Sequence, residues 1–434
     1  MRALALAAAL LASAPVAAQT VTITNARLVL GDGSAPIANG TVVIRNGRVV
    51  SAGPGGGGAA AGGGQVVDAG GKWVMPGIFA GYTVMGLVEV DGVEETDDTS
   101  ARQSPFDAGL DVAAAVNPRA TPIAINRSAG VTRAVVSPAV RGSIFGGQGA
   151  VIDLGADMDA VTRPRAFQFM EYGPNGARGA GGSRPAALAM LRNALFEAQA
   201  YNRNPASYAD RGTNALVTRL DAAALVPVVN GTEPLMVHVE RGSDMLALID
   251  LKREFPALRM VFVGATEAWT VAPQLAAARV PVIASALADL PADFERLAST
   301  QSNIGRLLKA GVTVGVGMIN DEEARQARLE KQYAGNLVAL QKVPGATGLT
   351  WDQAFAAITS GPAEALGVAD ELGSLRPGRR GDVVIWDGDP LELSTAATAV
   401  WIDGVAQPMV NRQQRLRDRY LTPTEGALPK AYQH

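Results

Sequence analysis

The sequence predicts an α/β protein built around a TIM-like (β/α)8 barrel with β-rich segments at both ends. Between residues 77 and 366, short apolar runs alternate with amphipathic helical stretches, which is typical of a parallel sheet covered by helices. On either side of this region the pattern changes to short strands separated by turns rich in Gly and Pro. By pattern alone, a doubly wound open sheet remains an alternative for the middle of the chain.

The first 18 residues have the features of a secretory signal peptide. Arg2 precedes an apolar run from Ala3 to Ala12, and Val16-Ala17-Ala18 supplies the small residues of a cleavage site. The run is too short to cross a bilayer as a helix. We therefore expect a periplasmic or secreted protein, with the N-terminal helix of a cytosolic protein as the alternative.

Residues 19–76 form the first predicted β segment. Strand-like runs flank Asn46-Gly47, and this dipeptide predicts a type I′ hairpin because both central residues of that turn need positive φ. Residues 55–64 contain only Gly and Ala and lack the Lys-Ser/Thr that follows a phosphate-binding loop, so a hairpin connection is the simpler interpretation.

Residues 77–366 form the predicted barrel. A helix is expected to begin after Ser183, and Thr350 with Gln353 predicts a capping box for a helix that ends at Gly367. Four buried strands, each followed by a helical segment, are expected at 234–239, 260–264, 280–284 and 311–317. A second β segment follows at residues 367–412, and residues 413–434 are a C-terminal tail.

Two motifs resemble those of the amidohydrolase superfamily. The first is Pro76-Gly77, preceded by strand-like residues and followed by Ile78-Phe79. The second is Gly373-Ser374-Leu375-Arg376-Pro377-Gly378 with Asp382 just beyond it, where Gly381 replaces the usual Ala. The resemblance extends from Val21 to about Val410 and points to the secreted or periplasmic, imidazolonepropionase-like branch. It implies that 19–76 and 367–412 combine into one composite β-sandwich domain beside the barrel, and that the protein is a metal-dependent hydrolase of non-peptide C–N bonds.

The metal ligands that the resemblance implies are largely missing. In the family, Asp-x-His-x-His ends the first barrel strand, but Ala80, Tyr82 and Val84 occupy those three positions here. His238 matches the strand-five histidine, whereas Ile319 stands where the strand-eight Asp is expected. Strand six offers no histidine, and the strand-four residue (a Lys or Glu in binuclear members) cannot be placed from the sequence.

The count of donor residues argues against zinc. The chain has two histidines, His238 and His434, and no cysteine, whereas a catalytic zinc needs about three protein ligands. We therefore expect no cofactor, with zinc only if the site has been rebuilt from other residues.

Three groups of residues remain as candidates for function. His238 is either a hydrogen-bonded polar residue in the barrel mouth or a general base or ligand-binding residue. Asp321 is either a helix cap or a catalytic carboxylate. Glu89 and Asp91, in an acidic stretch after strand one, together with Glu240, could line the cleft; that stretch is either a solvated loop or a site for a hard cation.

Two hypotheses about function follow. The first is a metal-free pseudoenzyme that binds a small molecule or a partner subunit, such as a related active chain or a second copy. The second is an active hydrolase with a rebuilt site that uses His238 and nearby carboxylates. The formal net charge of −3 gives no support for nucleic-acid binding, and no later segment is predicted to span a membrane.

Overall fold

The computed structural model describes residues 20–55, 64–101, 103–208, 217–286, 288–320 and 324–421. The predicted signal peptide, most of the C-terminal tail and the candidate Asp321 lie outside these residues, as does His434. The strands are β1 Thr20–Leu28, β2 Ile37–Arg45, β3 Arg48–Pro54, β4 Gln65–Asp68, β5 Trp73–Pro76, β6 Ile78–Thr83, β7 Val131–Val136, β8 Phe145–Asp153, β9 Val161–Glu171, β10 Leu235–Val239, β11 Met260–Gly264, β12 Val282–Ala284, β13 Val314–Val316, β14 Val383–Trp386, β15 Ala397–Ile402 and β16 Val405–Ala406.

The α-helices lie mainly between and after the barrel strands. They are α1 Thr121–Ser128, α2 Pro174–Gly179, α3 Arg184–Arg203, α4 Arg219–Val229, α5 Gly242–Asp250, α6 Ala272–Ala278, α7 Asn303–Lys309, α8 Glu330–Ala339, α9 Trp351–Ala356, α10 Ser360–Leu366 and α11 Arg412–Leu421. No helix among the described residues combines the length and apolar character needed to cross a membrane.

Strands β6 to β13 form a nearly closed eight-stranded barrel sheet in chain order. The pairs from β9 to β13 are parallel, as expected from their continuous apolar runs. The two ends of the sheet meet where the Met318 amide donates to the Tyr82 carbonyl at 3.0 Å. Because this sheet curls until its edge strands meet, the alternative of a doubly wound open sheet is excluded.

The barrel departs from a regular (β/α)8 arrangement at its third strand. Strand β8 runs antiparallel to both β7 and β9, and the short connections on either side of it contain no helix. The expectation of uniform strand–helix alternation is therefore wrong here. The physical reason is that an antiparallel neighbour can be reached by a short connection, whereas a parallel one needs a crossover.

Both terminal segments contribute to a second sheet, in the order β16-β15-β14-β5-β1-β2-β3, with β4 beside β1. The central pairing joins β5 to β14, and Pro76 lies opposite Val383. The Asn46-Gly47 turn has φ of 52° and 75°, which confirms the predicted hairpin. The apolar side of this sheet has its own core, which includes Ile23, Leu28 and Trp401.

The two family motifs meet at one point between the sheets. The Gly77 amide donates to the Asp382 carbonyl at 3.2 Å, and a Cβ at Gly77 would lie 2.1 Å from the Thr132 side chain, so only glycine fits. Gly381, which replaces the usual Ala, has equally little room, because a Cβ there would lie 2.5 Å from Ile44.

A buried arginine connects the barrel to the second sheet. Arg133 on β7 donates to Asp382 from Nε at 2.8 Å and from Nη2 at 2.9 Å. Its Nη2 also lies 2.9 Å from Asp403, and its Nη1 is 3.6 Å from Asp153. Although burial would lower the pKa of Arg133, these three carboxylates raise it above its ordinary value. The cluster holds the β15–β16 turn and the start of β14 against the barrel.

Candidate functional site

The candidate site lies at the C-terminal ends of β9 and β10, which is where barrel enzymes place their active sites. His238 is paired with Glu171 across these two strands, so both side chains leave the sheet at the same level. A cavity of about 420 Å³ opens there. Its lining is mainly polar and charged, with two aromatic residues, and consists of Glu171, Tyr172, Pro174, Asn175, His238, Glu240, Asp293, Phe294, Glu295, Arg296 and Asn320.

His238 is held between two carboxylates. Its Nδ1 lies 2.9 Å from both oxygens of Glu171, and its Nε2 lies 2.9 Å from Oε1 of Glu240. Burial by itself would lower the pKa of His238, but the charge and hydrogen bonds of Glu171, followed by those of Glu240, raise it to about 10. His238 is therefore an imidazolium at neutral pH, and it donates a proton from each nitrogen.

Glu240 is fixed by donors on both of its oxygens. Oε2 accepts from the Thr266 amide at 2.9 Å, and Oε1 accepts from the Asn320 side chain at 2.5 Å as well as from His238. Burial would raise the pKa of Glu240, but the bonds and charge of His238, with those of Thr266 and Asn320, lower it to about 2. The carboxylate is thus ionised across the physiological range.

Gly264, the last residue of β11, provides the space for this contact. It has φ of 80°, and a Cβ there would lie 2.4 Å from Glu240 Oε1 and 3.0 Å from His238 Cδ2. The strand-six position at which the family resemblance expects a histidine is therefore occupied by the Glu240 carboxylate.

The three residues at the strand-one ligand positions supply no metal donor. Tyr82 points into the barrel, with its ring 5.9 Å from that of Phe169. Burial, followed by the nearby charge of Glu171, raises the pKa of Tyr82 far above its usual value, so the phenol stays protonated. Val84 is half-buried and has an apolar side chain, and Ala80 packs in the layer between barrel and helices.

The remaining candidates are only partly brought together. Ile319 is buried in the barrel interior beside Tyr82, whereas Asp321 lies outside the described residues and its role stays a prediction. Glu89 accepts a hydrogen bond from Asn117, and Asp91 forms an ion pair with Arg325. Of the three candidate acids, Glu240 contacts His238, whereas Glu89 and Asp91 are held by these other partners. That Glu89 and Asp91 line the cleft stays a prediction.

Glu171 is the site residue that the sequence reasoning missed. It ends β9, the fourth strand of the barrel sheet, where the family resemblance leads one to expect a Lys or Glu. The run Ala166-Phe167-Gln168-Phe169-Met170-Glu171, an apolar strand ending in a carboxylate, was the available signal. The antiparallel β8 concealed it, because strands could not be counted correctly through that region.

The donor set does not fit the metal that the fold family implies. Both nitrogens of His238 are already bonded to carboxylates, and strands one and six offer no donor. Within the described part of the chain, no group of three or more His, Cys, Asp or Glu side chains could hold a metal ion. The cluster can instead orient a ligand: oxygens of Glu171 and the amides of Asn175 and Asn320 face the same cavity.

The fold and the site together define a class of protein. Its members have a barrel, a second sheet to which both terminal segments contribute, and a polar cavity at the C-terminal ends of the barrel strands. Residues 237–413 match the model of the Amidohydrolase family. The fold resembles that of an amidohydrolase from Thermotoga maritima MSB8, with a TM-score of 0.78 and 24% identity over 90% of this chain and 100% of that one. The family match over these residues and the similarity of fold agree with the resemblance to the amidohydrolase superfamily that the motifs carry.

Two further proteins are similar to this chain, one in sequence and one in fold. Amidohydrolase tasK of Hapsidospora irregularis is 26% identical over an alignment of 377 residues, and the match covers 79% of this chain. The chain spans only 37% of the length of that curated relative. N-isopropylammelide isopropylaminohydrolase from Burkholderia multivorans ATCC 17616 has a similar fold, with a TM-score of 0.51 and 17% identity over 89% of this chain and 98% of that one.

Proposed function

We propose that this protein is a metal-free, catalytically degenerate member of its superfamily that binds a small molecule in the cavity beside His238. One observation carries the proposal: each ring nitrogen of His238 lies 2.9 Å from a carboxylate, so both positions at which the imidazole could bind a metal or accept a proton are occupied. A nitrogen that carries a proton cannot ligate a metal. A general base must likewise have a free lone pair for the substrate's proton. We further propose that the protein is exported, on the evidence of its first 18 residues.

A second candidate is an active hydrolase with a rebuilt site. It is favoured by the arrangement of Glu171, His238 and Glu240 around one cavity at the catalytic face of the barrel. In that case the activity would resemble that of relatives such as the isopropylaminohydrolase, which acts on a C–N bond by its name. This candidate requires at least one of the carboxylates to release His238 when the substrate binds.

Elemental analysis of untagged mature protein should find much less than one zinc per chain. Adding zinc should shift the thermal midpoint only slightly, because we expect zinc to bind weakly. A tightly bound zinc would behave differently: at a concentration 100 times its dissociation constant, it would stabilise the protein by about 2.7 kcal/mol. His238→Ala should leave the metal content unchanged. One tightly held metal per chain, lost in the His238→Ala variant, would establish the hydrolase candidate instead.

Small-molecule binding should be blocked by a large side chain at the rim of the cavity. Asn175 is exposed and lines the opening, so Asn175→Trp should weaken binding by about ten-fold or more without disturbing the core. Gln274→Trp, on the exposed side of α6, is the matched control. Ligand-observed NMR with a library of small molecules measures the effect. Hits that bind the Asn175→Trp protein as well as the control would place ligand binding elsewhere.

A further inference from the structure

Among the described residues, the side-chain hydrogen bonds that attach helix α11 to the rest of the protein lie near its first residue. Asn411, just before the helix, is buried and donates from Nδ2 to Ser128 Oγ at 2.8 Å. Asn411 and Gln414 also exchange hydrogen bonds, at 2.8 and 3.0 Å. No residue of α11 itself is buried, so the helix contributes little to the core.

Leu416 and Tyr420, two of the three apolar residues of α11, point away from the protein. Leu416 and Tyr420 are four residues apart and share one face, while Gln414, the half-buried residue, lies nearly opposite Leu416 at 100° per residue. Leu416 is 38% exposed, Tyr420 70% and Leu421 69%. An amphipathic helix that only covered a core would show the reverse orientation.

The same helix concentrates positive charge. It contains four arginines and a single acid, and the acid, Asp418, bonds to Arg417. Among the described residues, no carboxylate pairs with Arg412, Arg415 or Arg419. On a helical wheel, Arg412 and Arg419 lie on one side of the Leu416–Tyr420 face and Arg417 lies on the other. This local charge contrasts with the net charge of −3 for the whole chain.

We propose that α11 docks the protein on an anionic lipid surface. Arginines that flank an outward Leu and Tyr can reach lipid phosphates, while the apolar face enters the headgroup boundary. Tyrosine is a residue favoured at that boundary. A nucleic acid would bind the arginines but would leave Leu416 exposed to water. A lipid surface accounts for both the positive charge and the exposed apolar face of the helix.

The position of α11 suits such a docking mode. Ser128 ends α1 just before β7 begins, and therefore lies at the N-terminal end of the barrel strands. Glu171 and His238 lie at the C-terminal ends of β9 and β10, which run in the same direction as β7. The cavity consequently opens at the end of the barrel remote from the docked helix.

Co-sedimentation of the mature protein with vesicles tests the proposal. We expect binding to equimolar phosphatidylglycerol and phosphatidylcholine, and much weaker binding to phosphatidylcholine alone. Each arginine near the surface contributes about a five-fold factor in affinity, so Arg412→Gln/Arg419→Gln should weaken binding by roughly 25-fold. Leu416→Gln/Tyr420→Gln should also weaken it, with an unchanged thermal midpoint.

The matched control is Arg203→Gln/Arg253→Gln, which removes two exposed arginines from other helices. The control should bind the anionic vesicles like the unmodified protein. Absence of binding to both vesicle types, or equal binding by the α11 variants and the control, overturns the proposal. A dimer or a duplex-DNA complex that the α11 variants abolish, without vesicle binding, would assign the helix to that partner and would also overturn it.

Discussion

Replacing Arg133 with methionine should lower the free energy of unfolding by about 3–5 kcal/mol. The substitution removes the cation that pairs with the buried Asp382 and Asp153 and leaves their charges unpaired, while Asp403 keeps its ion pair with Arg380. Burial raises the pKa of Asp153 to about 6, even though the nearby charge of Arg133 lowers that pKa. Without Arg133, Asp153 should bind a proton at neutral pH. Urea unfolding monitored by tryptophan fluorescence measures the loss.

Two further variants make this prediction specific. Arg253→Met removes an arginine from an exposed ion pair with Asp250 and should cost less than about 1 kcal/mol. Arg133→Met/Asp382→Leu removes both partners of the principal contact and should recover part of the loss, because fewer buried charges remain unpaired. A loss for Arg133→Met no larger than that for Arg253→Met would show that the cluster does not hold the two sheets together.

The imidazole of His238 should titrate far above the ordinary value for histidine. Its pKa is raised to about 10, so the contribution of this group to stability is fully present below about pH 6.5 and is lost as the pH rises towards 10. Glu240 acts in the opposite direction. Because its pKa is lowered to about 2, its contribution is present above about pH 4.5 and is lost as the pH falls towards 2.

The chain allows a direct measurement, because His238 and His434 are its only histidines. In a His434→Gln variant labelled with ¹⁵N-histidine, the single imidazole can be followed by NMR from pH 5 to the alkaline limit of folding. Glu171→Gln should move the midpoint of that titration downwards, since Glu171 contributes the largest favourable charge. A midpoint near 6.5 in the unmodified site would contradict the assigned hydrogen bonds and free a nitrogen for a metal or a substrate proton.

The fold could be predicted largely because local patterns report it. The Asn46-Gly47 turn, the Thr350–Gln353 capping box and the left-handed Gly367 are found as expected, since each depends on a few neighbouring residues. The single helix expected between the capping box and Gly367 is instead two helices, α9 and α10. The motifs that contain Pro76-Gly77 and Asp382 could be recognised in the sequence, but the contact between them could not be predicted. It joins residues about 300 positions apart, and the sequence alone does not show which surfaces meet.

The site was harder to predict for the same reason. His238 was identified from its place after an apolar strand, yet its partners come from other elements: Glu171 ends a different strand and Asn320 follows a third. Glu330 illustrates the same problem in the core. It begins α8 with an ordinary polar sequence around it, but it is fully buried and has no hydrogen-bond partner among the residues that the structure describes. Burial raises its pKa well above the usual value.

The pairing of β5 with β14 has a consequence for folding during synthesis on the ribosome. The β5 edge is made early, but its partner emerges only some 300 residues later, and until then a row of backbone donors and acceptors stays open. Contacts so distant in sequence form slowly. The nascent chain should therefore depend on chaperones that shield this edge, and translation pauses before residue 383 should increase aggregation more than pauses after residue 402.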